Sequence, residues 1–328
     1  MCELMDERGK RIGEKYELLE PAGSGGMATV WRALQHGAAG FERPVGLKRI
    51  RPELAAEPEF VKMFIEEARI SAELSHPNIV QIFDFGYDDG SYFLVMEWVD
   101  GLNLGRYLDA YSSRHAYVPW HLLAAIAIES LHALGSAHSR VDRMGLPAPV
   151  FHRDVTPPNI LIGVNGVVKL SDFGLARAMD RARITAPHIV KGKVGYLAPE
   201  LTYQRAPPTA QSDIYALGVV LWQALAARKL FTGEGDAQIL LAARRREIPP
   251  LRQVRPDLPQ ELLEIVDRAL AREPADRFAS AQDMRTELAN LLRKHPEPTD
   301  ARQIANSVMM ARGNLGLSMP SRPPPPLG

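Results

Sequence analysis

Residues 150–162 constrain this chain most, because four polar side chains capable of chemistry lie there between two apolar stretches. The segment reads V-F-H-R-D-V-T-P-P-N-I-L-I, and its polar group comprises His152, Arg153, Asp154 and Asn159. Polar residues so close to β-branched residues and leucine predict a loop that leaves a buried strand and returns to one. In such a loop the Asp154 carboxylate can accept a proton from a hydroxyl, and Asn159 can hold a metal or a phosphate.

A second carboxylate, Asp172, follows the strand-like run 167–170 and opens the tripeptide D-F-G. Two acids and an amide are also compatible with a hydrolase site or with a solvated surface loop. These residues alone leave the chemistry open, and motifs elsewhere in the chain have to decide it.

Composition limits the classes of partner. The chain has 328 residues, more than a single hydrophobic core usually serves. Its 39 Lys and Arg balance its 39 Asp and Glu, which argues against a general affinity for nucleic acid or anionic membranes. The one cysteine, Cys2, excludes an intrachain disulfide and a cysteine-rich zinc site.

No targeting or membrane-spanning pattern is apparent in the sequence. The first eleven residues, M-C-E-L-M-D-E-R-G-K-R, are charged and lack the apolar core of a signal peptide. The longest aliphatic run, residues 122–128, is far shorter than the roughly 20 residues that span a bilayer. We therefore expect a soluble, cytoplasmic chain without a membrane span.

Further motifs occur in a fixed order: a glycine-rich segment at 23–31, P-V-G-L-K-R-I at 44–50, D-F-G at 172–174 and A-P-E at 198–200. With H-R-D-x-x-x-x-N, this set resembles the signature of the bacterial, eukaryotic-like Ser/Thr protein kinases. A lone H-R-D would be a weak signal. The ordered set, from about Tyr16 to about Lys294, is specific.

The resemblance implies an α+β, bilobal protein kinase-like fold. The N-lobe, about 15–98, would hold an antiparallel sheet and one helix, and the C-lobe, about 102–294, would be mainly helical. Together they make a kinase domain over residues 15–294, preceded by a polar lead-in at 1–14.

The glycine-rich segment on its own is most typical of a hairpin turn. In a kinase its backbone N–H groups close over phosphate oxygens, which side chains would obstruct. The motif's third glycine is Ala28 here, which predicts a stiffer loop that still binds nucleotide. By the resemblance, the backbone of Glu97 and Val99 binds adenine beside a gatekeeper at Met96. The implied nucleotide contacts are Gly23, Ser24, Gly25, Gly26, Val30, Lys48, Glu97, Val99 and Leu161.

Lys48 lies in a strand-like run, 19 residues before a glutamate on the helix predicted over 58–74. A lone lysine in a strand is usually solvated, but the apolar neighbours of Lys48 favour a phosphate-binding role. Pro58 suits the first turn of that helix, and apolar residues recur along it at a spacing of four. Glu67 is the predicted partner of Lys48, and Glu66 is the competitor.

The resemblance gives each polar residue a role in phosphoryl transfer, where positioning and charge neutralisation carry most of the catalysis. Lys48 would orient the α- and β-phosphates of ATP, and Glu67 would hold Lys48. Asp172 and Asn159 would bind Mg²⁺, and Asp154 would take the proton from a Ser or Thr hydroxyl. We predict a protein serine/threonine kinase that uses ATP and Mg²⁺, acts on proteins and phosphorylates itself.

Two departures from the family pattern exchange residue types. The family carries Lys two residues after the catalytic Asp and Thr in the G-T pair before A-P-E, whereas this chain has Thr156 and Lys193 there. In the family fold both side chains point at the catalytic Asp, where the Lys also neutralises charge on the transferred phosphate. We therefore count Thr156 and Lys193 as catalytic and hypothesise that Lys193 supplies the cation. The alternative is a solvated Lys193 and a slow or inactive enzyme.

Two other functions stay open. A pseudokinase, acting as a nucleotide-responsive binding scaffold, is suggested by the exchange and by Ala28 and Gly46 in the glycine-rich and lysine motifs. A small-molecule phosphotransferase with a kinase-like core is the other. A-P-E, Asp213 and Arg277 argue against it because, in the family, they build the peptide-binding part of the larger lobe. There Asp213 tethers the catalytic loop, and Arg277 pairs with Glu200.

Thr185 is the only Ser or Thr between Asp172 and Glu200, so it is the predicted phosphosite of the activation segment. Arg153 and Arg177 could pair with its phosphate and order that segment. The alternative is an unregulated loop.

Residues 295–328 are expected to form a flexible, Pro-rich tail with room for a short helix over 299–311. Prolines stop the preceding helix, and residues 323–326 are typical of polyproline II. Binding of that stretch to an aromatic-groove module of a partner is the alternative.

Overall fold

A computed structural model describes residues 6–25, 28–173, 193–203, 206–245 and 247–317 of the chain. These residues belong to two compact units, which combine the described parts of Met1–Val99, Ser136–Asp154 and Asp172–Val194 in the first and of Asp100–Gly135, Val155–Ser171 and Gly195–Gly328 in the second.

The first unit is built on a six-stranded antiparallel sheet with the strand order β1-β2-β3-β4-β6-β5. Its strands are β1 (Arg11–Ile12), β2 (Tyr16–Ser24), β3 (Ala28–His36), β4 (Glu42–Ile50), β5 (Ile82–Asp88) and β6 (Ser91–Glu97). Alternate residues of four strands face one core, as the period of two in a strand requires. They are Tyr16, Leu18, Trp31, Ala33, Val45, Leu47, Phe93 and Val95.

Two helices accompany this sheet, α1 (Pro52–Ala55) and α2 (Pro58–Ala72). Each begins with a proline, whose missing N–H costs nothing in a first turn. The buried residues of α2 recur at spacings of three and four, so they lie on one face: Met63, Phe64, Glu67, Ala68 and Ser71. The helix expected over 58–74 is confirmed and ends two residues earlier, while the one-turn α1 adds a helix that we did not predict.

The second unit is mainly helical and holds a small antiparallel sheet of the order β7-β8-β9. Its strands are β7 (Gly101–Asn103), β8 (Ile160–Gly163) and β9 (Val168–Leu170). The helices that follow in chain order are α3 (Leu104–Ser112), α4 (Trp120–His138, which has residues in both units), α5 (Pro199–Tyr203), α6 (Ala210–Ala226), α7 (Asp236–Arg245), α8 (Leu251–Val254), α9 (Gln260–Ala269), α10 (Ala281–Arg293) and α11 (Ala301–Asn314).

The interior of the second unit contains the ion pair expected between Arg277 and Glu200. The guanidinium donates to both carboxylate oxygens at 2.8 and 2.7 Å, and both side chains are buried. Two parallel bonds to one carboxylate orient both partners. Asp213 is buried in the first turn of α6, a helix that is buried on nearly every face, as its almost continuous apolar sequence predicts.

We predicted that the loop beginning at residue 150 leaves one buried strand and returns to another, and only the second of these strands is present. It returns to strand β8, but residues 149–156 form no strand before it. Val141 and Pro147 instead make an isolated bridge in the insertion that precedes the loop. Pro147 and Pro149 lack the N–H donor that a strand ladder needs, which explains the difference.

The division into units also differs from the single lobe boundary expected near residue 100. Segments on both sides of the catalytic loop belong to the first unit. Arg140 forms an ion pair with Glu73, and the Ser71 hydroxyl donates to the Phe173 carbonyl at 3.0 Å. Both contacts join these segments to the end of α2.

The expectation of a flexible tail is wrong for residues 301–314, which form α11. Its inner side is buried at Ile304, Ser307, Val308 and Ala311. The short helix that we allowed there is therefore packed rather than loose. Residues 318–328, with their proline run, lie outside the described residues. Within the described ranges, no helix combines the length and the apolar character needed to cross a membrane.

Candidate active site

Lys48 lies at the centre of a buried cluster of charges in the first unit. It occupies β4, where it pairs with Val30 of β3 and Leu94 of β6. Its ammonium donates to Glu67 Oε1 and to Asp172 Oδ1, both at 2.8 Å. The sheet supplies the lysine and the buried face of α2 supplies the glutamate, so one ammonium binds two carboxylates.

Glu67 rather than Glu66 makes this contact, as we predicted. Glu67 faces the core of the unit and its side chain is 2% exposed, whereas Glu66 is half-buried. The second carboxylate oxygen of Glu67 is buried and has no hydrogen-bond partner among the described residues. The pair is therefore held by one bond from Lys48, and one buried oxygen stays unsatisfied.

Burial and mutual attraction shift the protonation of all three groups. Burial alone would lower the pKa of Lys48, but the charges of Asp172 and Glu67 outweigh it and raise that pKa. Burial raises the pKa of Glu67 to about 7, although Lys48 opposes the shift. Burial would also raise the pKa of Asp172, but the Lys48 ammonium lowers it below its usual value. Asp172 is therefore the more strongly ionised of the two acids.

The backbone around Asp172 is held by contacts of the next residue, Phe173, with Ser71 and His152. Asp172 has a φ of 64°, a left-handed conformation that is unusual outside glycine and is maintained only by surrounding contacts. The Ser71 bond to the Phe173 carbonyl supplies one contact. The Phe173 ring lies 4.4 Å from that of His152, centroid to centroid, and supplies another. Sequence reasoning missed Ser71, although its position four residues after Glu67 places both on one face of α2.

Asp154 and Lys193 form a second ion pair in the first unit. Lys193 Nζ lies 2.5 Å from Asp154 Oδ2, and the aspartate side chain is 4% exposed against 37% for the lysine. The Asp154 N–H donates to His152 Nδ1 at 3.2 Å, a hydrogen bond within the loop itself. Arg153 between them has a φ of 65°, so the loop turns sharply there. The contact that the residue exchange predicted is present.

Thr156 and Asn159 belong to the second unit. Thr156 precedes a single 3₁₀ turn, Pro157–Asn159, that leads into β8. Both residues are buried, and the Asn159 carbonyl accepts a bond from the Ser171 N–H at 3.0 Å. Asn159 is thus fixed against the residue that precedes Asp172 in the chain.

The predicted nucleotide-binding residues of the first unit lie on the glycine-rich hairpin and at the end of β6. Gly23 pairs with Val30, and Ser24 pairs with Thr29. The Gly25 N–H donates to the Ala28 carbonyl at 2.9 Å and closes the turn. A Cβ at Gly23 would meet no atom within 4 Å, so open space lies beside this strand.

The end of β6 shows why glycine replaces alanine in the lysine motif. A Cβ on Gly46 would lie 3.1 Å from Met96 Cγ, so this small residue makes room for the predicted gatekeeper. The Glu97 N–H donates to the Gln81 carbonyl at 2.8 Å, while Val99 is half-buried. In the second unit Leu161 is half-buried on β8. The predicted residues Gly26, Arg177 and Thr185 lie outside the described residues.

Comparison with known proteins identifies this arrangement. Residues 16–289 match the family model described as protein kinase domain. The chain belongs to the protein kinase family. The kinase domain is 39% identical over 280 residues to the tyrosine-protein kinase MasK of Myxococcus xanthus, an alignment that covers 85% of this chain and 43% of MasK. It is 36% identical over 280 residues to the serine/threonine-protein kinase PrkC of Bacillus subtilis, covering 85% of this chain and 41% of PrkC.

Solved structures agree on the fold. The crystal structure of the Mycobacterium tuberculosis PknI kinase domain matches with a TM-score of 0.66 and 28% identity, over 89% of this chain and all of that domain. The kinase-like fold expected from the motifs is thereby confirmed, as is the likeness to bacterial Ser/Thr kinases. The chain nevertheless spans less than half the length of MasK or PrkC.

Proposed function

We propose that the chain transfers the γ-phosphoryl group of ATP to hydroxyl groups of proteins, including its own. The observation that carries this proposal is Lys48, which binds Glu67 and Asp172 at 2.8 Å each. In protein kinases such a lysine orients phosphates only when its glutamate partner is in place. The relatives MasK and PrkC are both named as kinases, so the pseudokinase alternative is not favoured.

We propose Asp172 and Asn159 as the ligands of a magnesium ion. Asp172 offers a carboxylate whose lowered pKa keeps it ionised, and Asn159 offers an amide oxygen. Oxygen ligands of this kind are the ones that Mg²⁺ takes beside nucleotide phosphates. When bound, the ion would neutralise charge on the phosphates. The open space at Gly23 suits the nucleotide itself.

The chain's own groups account for the transfer. Lys48 orients the α- and β-phosphates, and Glu67 holds its ammonium. The acceptor hydroxyl oxygen forms a bond to the γ-phosphorus, the bond from that phosphorus to the bridging oxygen breaks, and ADP leaves. Asp154 takes the proton that the hydroxyl loses. Because the Asp154 side chain is 4% exposed, little water competes for it.

We propose further that Lys193 supplies the positive charge that the family places two residues after the catalytic aspartate. Its ammonium lies 2.5 Å from Asp154 Oδ2. Its charge opposes the rise in the pKa of Glu67 and helps to lower the pKa of Asp172, so it acts on both carboxylates. Thr156 takes the place of the family's lysine and would contribute a hydroxyl. In this scheme Lys193 both orients the base and offsets charge on the phosphoryl group.

Serine and threonine hydroxyls are the proposed acceptors, because the relative PrkC is named a serine/threonine-protein kinase. Tyrosine is the second candidate, because MasK, at 39% identity, is named a tyrosine-protein kinase. We place the activity in the cytoplasm, where ATP is available. Thr185 is the proposed autophosphorylation site, with Arg153 and Arg177 as partners of its phosphate.

One experiment tests these proposals together. The purified chain is incubated with radiolabelled ATP, Mg²⁺ and a generic basic protein, and labelled residues are separated by acid hydrolysis. Label in phosphoserine or phosphothreonine supports the first acceptor class, and label in phosphotyrosine alone supports the second. ATP binding without any label would contradict the proposed kinase activity and would favour the pseudokinase scaffold instead. Mass spectrometry of the same sample should find phosphate on Thr185, and an unmodified Thr185 in a labelled chain would contradict that site.

A further inference from the structure

Helix α11 lies beyond residue 289, where the match to the protein kinase model ends, yet it is an integral part of the second unit. Its apolar residues recur at spacings of four and three and are almost fully buried, with exposures of 4% for Ile304, 0% for Val308 and 0% for Ala311. The Asp300 side chain caps its first turn by accepting from the Gln303 N–H at 2.9 Å. Because the helix is capped and has a buried face, it is a packed part of the fold and not a loose terminal segment.

A cluster of three hydroxyls fixes the register of α11 against α3. Ser307 Oγ lies 2.5 Å from the Tyr107 hydroxyl and 2.7 Å from the Tyr111 hydroxyl. The two tyrosines are four residues apart and therefore lie on one face of α3. Burial raises the pKa of Tyr107, so its hydroxyl keeps its proton. Each buried hydroxyl has a partner only while the two helices are aligned.

The far end of α11 reaches the residues that directly follow the proposed adenine-binding backbone. One guanidinium nitrogen of Arg312 donates to Asp100 Oδ1 at 3.3 Å and to the Gly101 carbonyl at 3.2 Å. Asn314 Nδ2 donates to the Ala110 carbonyl, near the end of α3, at 3.4 Å. Asp100 immediately follows Val99 in the chain. Arg312 thus holds the backbone that continues from the nucleotide-contacting segment.

The opposite end of α11 fits closely as well. A Cβ built on Gly166 would come within 1.8 Å of the Ala301 carbonyl oxygen. Gly166 lies in the turn between β8 and β9, and β8 pairs with β7 from Gly101 to Asn103. Both ends of the helix therefore contact the small sheet and its connections, while its middle contacts α3.

We propose that α11 is a positioning helix for nucleotide binding and that Arg312 is its positioning residue. By holding Asp100 and Gly101, Arg312 sets the path of the chain after Val99 and so the direction of the carbonyl and N–H groups that meet adenine. The inference rests on the proposed function, since it takes ATP as the nucleotide. In this scheme Arg312 acts through Asp100 and Gly101, so it affects nucleotide affinity and leaves the chemical step unchanged.

The test compares Arg312→Ala with Arg302→Ala in the full chain. Arg302 is an exposed arginine on the same helix and serves as the matched control. ATP binding is measured by calorimetry, and KM for ATP and kcat are measured with a basic protein substrate. We expect Arg312→Ala to raise Kd and KM for ATP about threefold to tenfold, in line with the loss of charge-assisted hydrogen bonds. The value of kcat at saturating ATP should stay within twofold of that of the unmodified chain.

Arg312→Lys restores a cation with a single donor group and should recover part of the affinity. Equal ATP affinity in Arg312→Ala and Arg302→Ala, with a lower Tm only in the former, would overturn the proposal and leave α11 a purely stabilising element. An unmodified chain that binds ATP but transfers no phosphate would contradict the proposed function, while the calorimetric comparison still decides the role of Arg312. A chain that binds no ATP at all overturns both.

Discussion

The cluster around Lys48 and the contact between α3 and α11 both bury polar atoms at hydrogen-bond distances, but they satisfy them differently. Around Lys48 one ammonium serves two carboxylates, and a buried oxygen of Glu67 lacks a partner among the described residues. In the α11 contact the hydroxyls of Ser307, Tyr107 and Tyr111 bind one another without any formal charge.

This difference separates a binding site from a structural contact. Buried charges lose several kcal/mol of hydration each, which their attraction restores only when every hydrogen bond is made. A neutral network with all its groups partnered loses little and specifies one alignment. The Lys48 cluster is therefore expected to be costly to stability and necessary for activity. The α11 contact should contribute to stability and leave the transfer step unaffected.

The largest effect should follow removal of the proposed base. Asp154→Asn should lower the rate of phosphoryl transfer by roughly 10²- to 10⁴-fold, the typical contribution of a general base. Binding of ATP, measured by calorimetry, should stay within a few-fold because Asp154 is not assigned a nucleotide contact. Asp172→Asn is the informative contrast, since it should weaken Mg²⁺-dependent ATP binding as well. Near-native turnover in Asp154→Asn would show that another group accepts the proton.

The next largest effect is expected when the positive charge of Lys193 is removed. Lys193→Met should lower kcat by about 10- to 10²-fold, because a donor in a desolvated site is worth a few kcal/mol in the transition state and the lysine side chain, 37% exposed, is partly screened by solvent. Lys62→Met, which removes an exposed lysine from α2, is the control and should change kcat little. The double variant Thr156→Lys with Lys193→Thr restores the family arrangement and should recover part of the rate. Full activity in Lys193→Met alone would contradict the exchange.

A change of similar free energy in α11 should affect stability instead. Ile304→Ala removes a side chain that is 4% exposed and should lower the free energy of unfolding by about 2–5 kcal/mol. Met310→Ala on the exposed side of the same helix, where the side chain is 52% exposed, should change it by no more than roughly 0.5 kcal/mol. Thermal unfolding followed by circular dichroism measures both. If Ile304→Ala melted like Met310→Ala, α11 would contribute no stability.

The two regions also differ in how far the sequence predicts them. The partnership of Lys48 with Glu67 is implied by the resemblance to the kinase family, in which the two residues keep this spacing, while the periodicity of α2 places Glu67 on its buried face. The contact of Lys193 with Asp154 follows from two departures that exchange residue types. Both predictions depend on motifs whose relative placement is common to a whole family.

The contact between α11 and α3 has no such basis. Ser307 and Tyr107 are 200 positions apart, and neither belongs to a motif. The helix itself was foreseeable, because Asp300 and the spacing of Ile304, Val308 and Ala311 form an amphipathic pattern. Its docking partner was not, since nothing local to either segment distinguishes one buried face from another. The contact of Ser71 with the Phe173 carbonyl was not predicted for the same reason, since nothing in the local sequence of either segment indicates the other.

The smallest predicted effect concerns the protonation of Glu67. Burial raises its pKa from 4.5 to about 7, so between these values the folded chain holds more protons than the unfolded chain. Stability then falls as pH rises through this window and levels off above it.

Glu67→Gln removes the titration without changing the shape of the side chain. The Tm of the unmodified chain minus that of Glu67→Gln should therefore be largest at and below pH 4.5 and decline by a few degrees up to about pH 7, since 1 kcal/mol corresponds to roughly 2–4 °C in domains of this size class. Glu66→Gln, at the half-buried neighbour, should show no such decline. Parallel Tm curves for all three proteins would mean that Lys48 keeps Glu67 ionised throughout, and that the cluster is better neutralised than its single bond to Glu67 indicates.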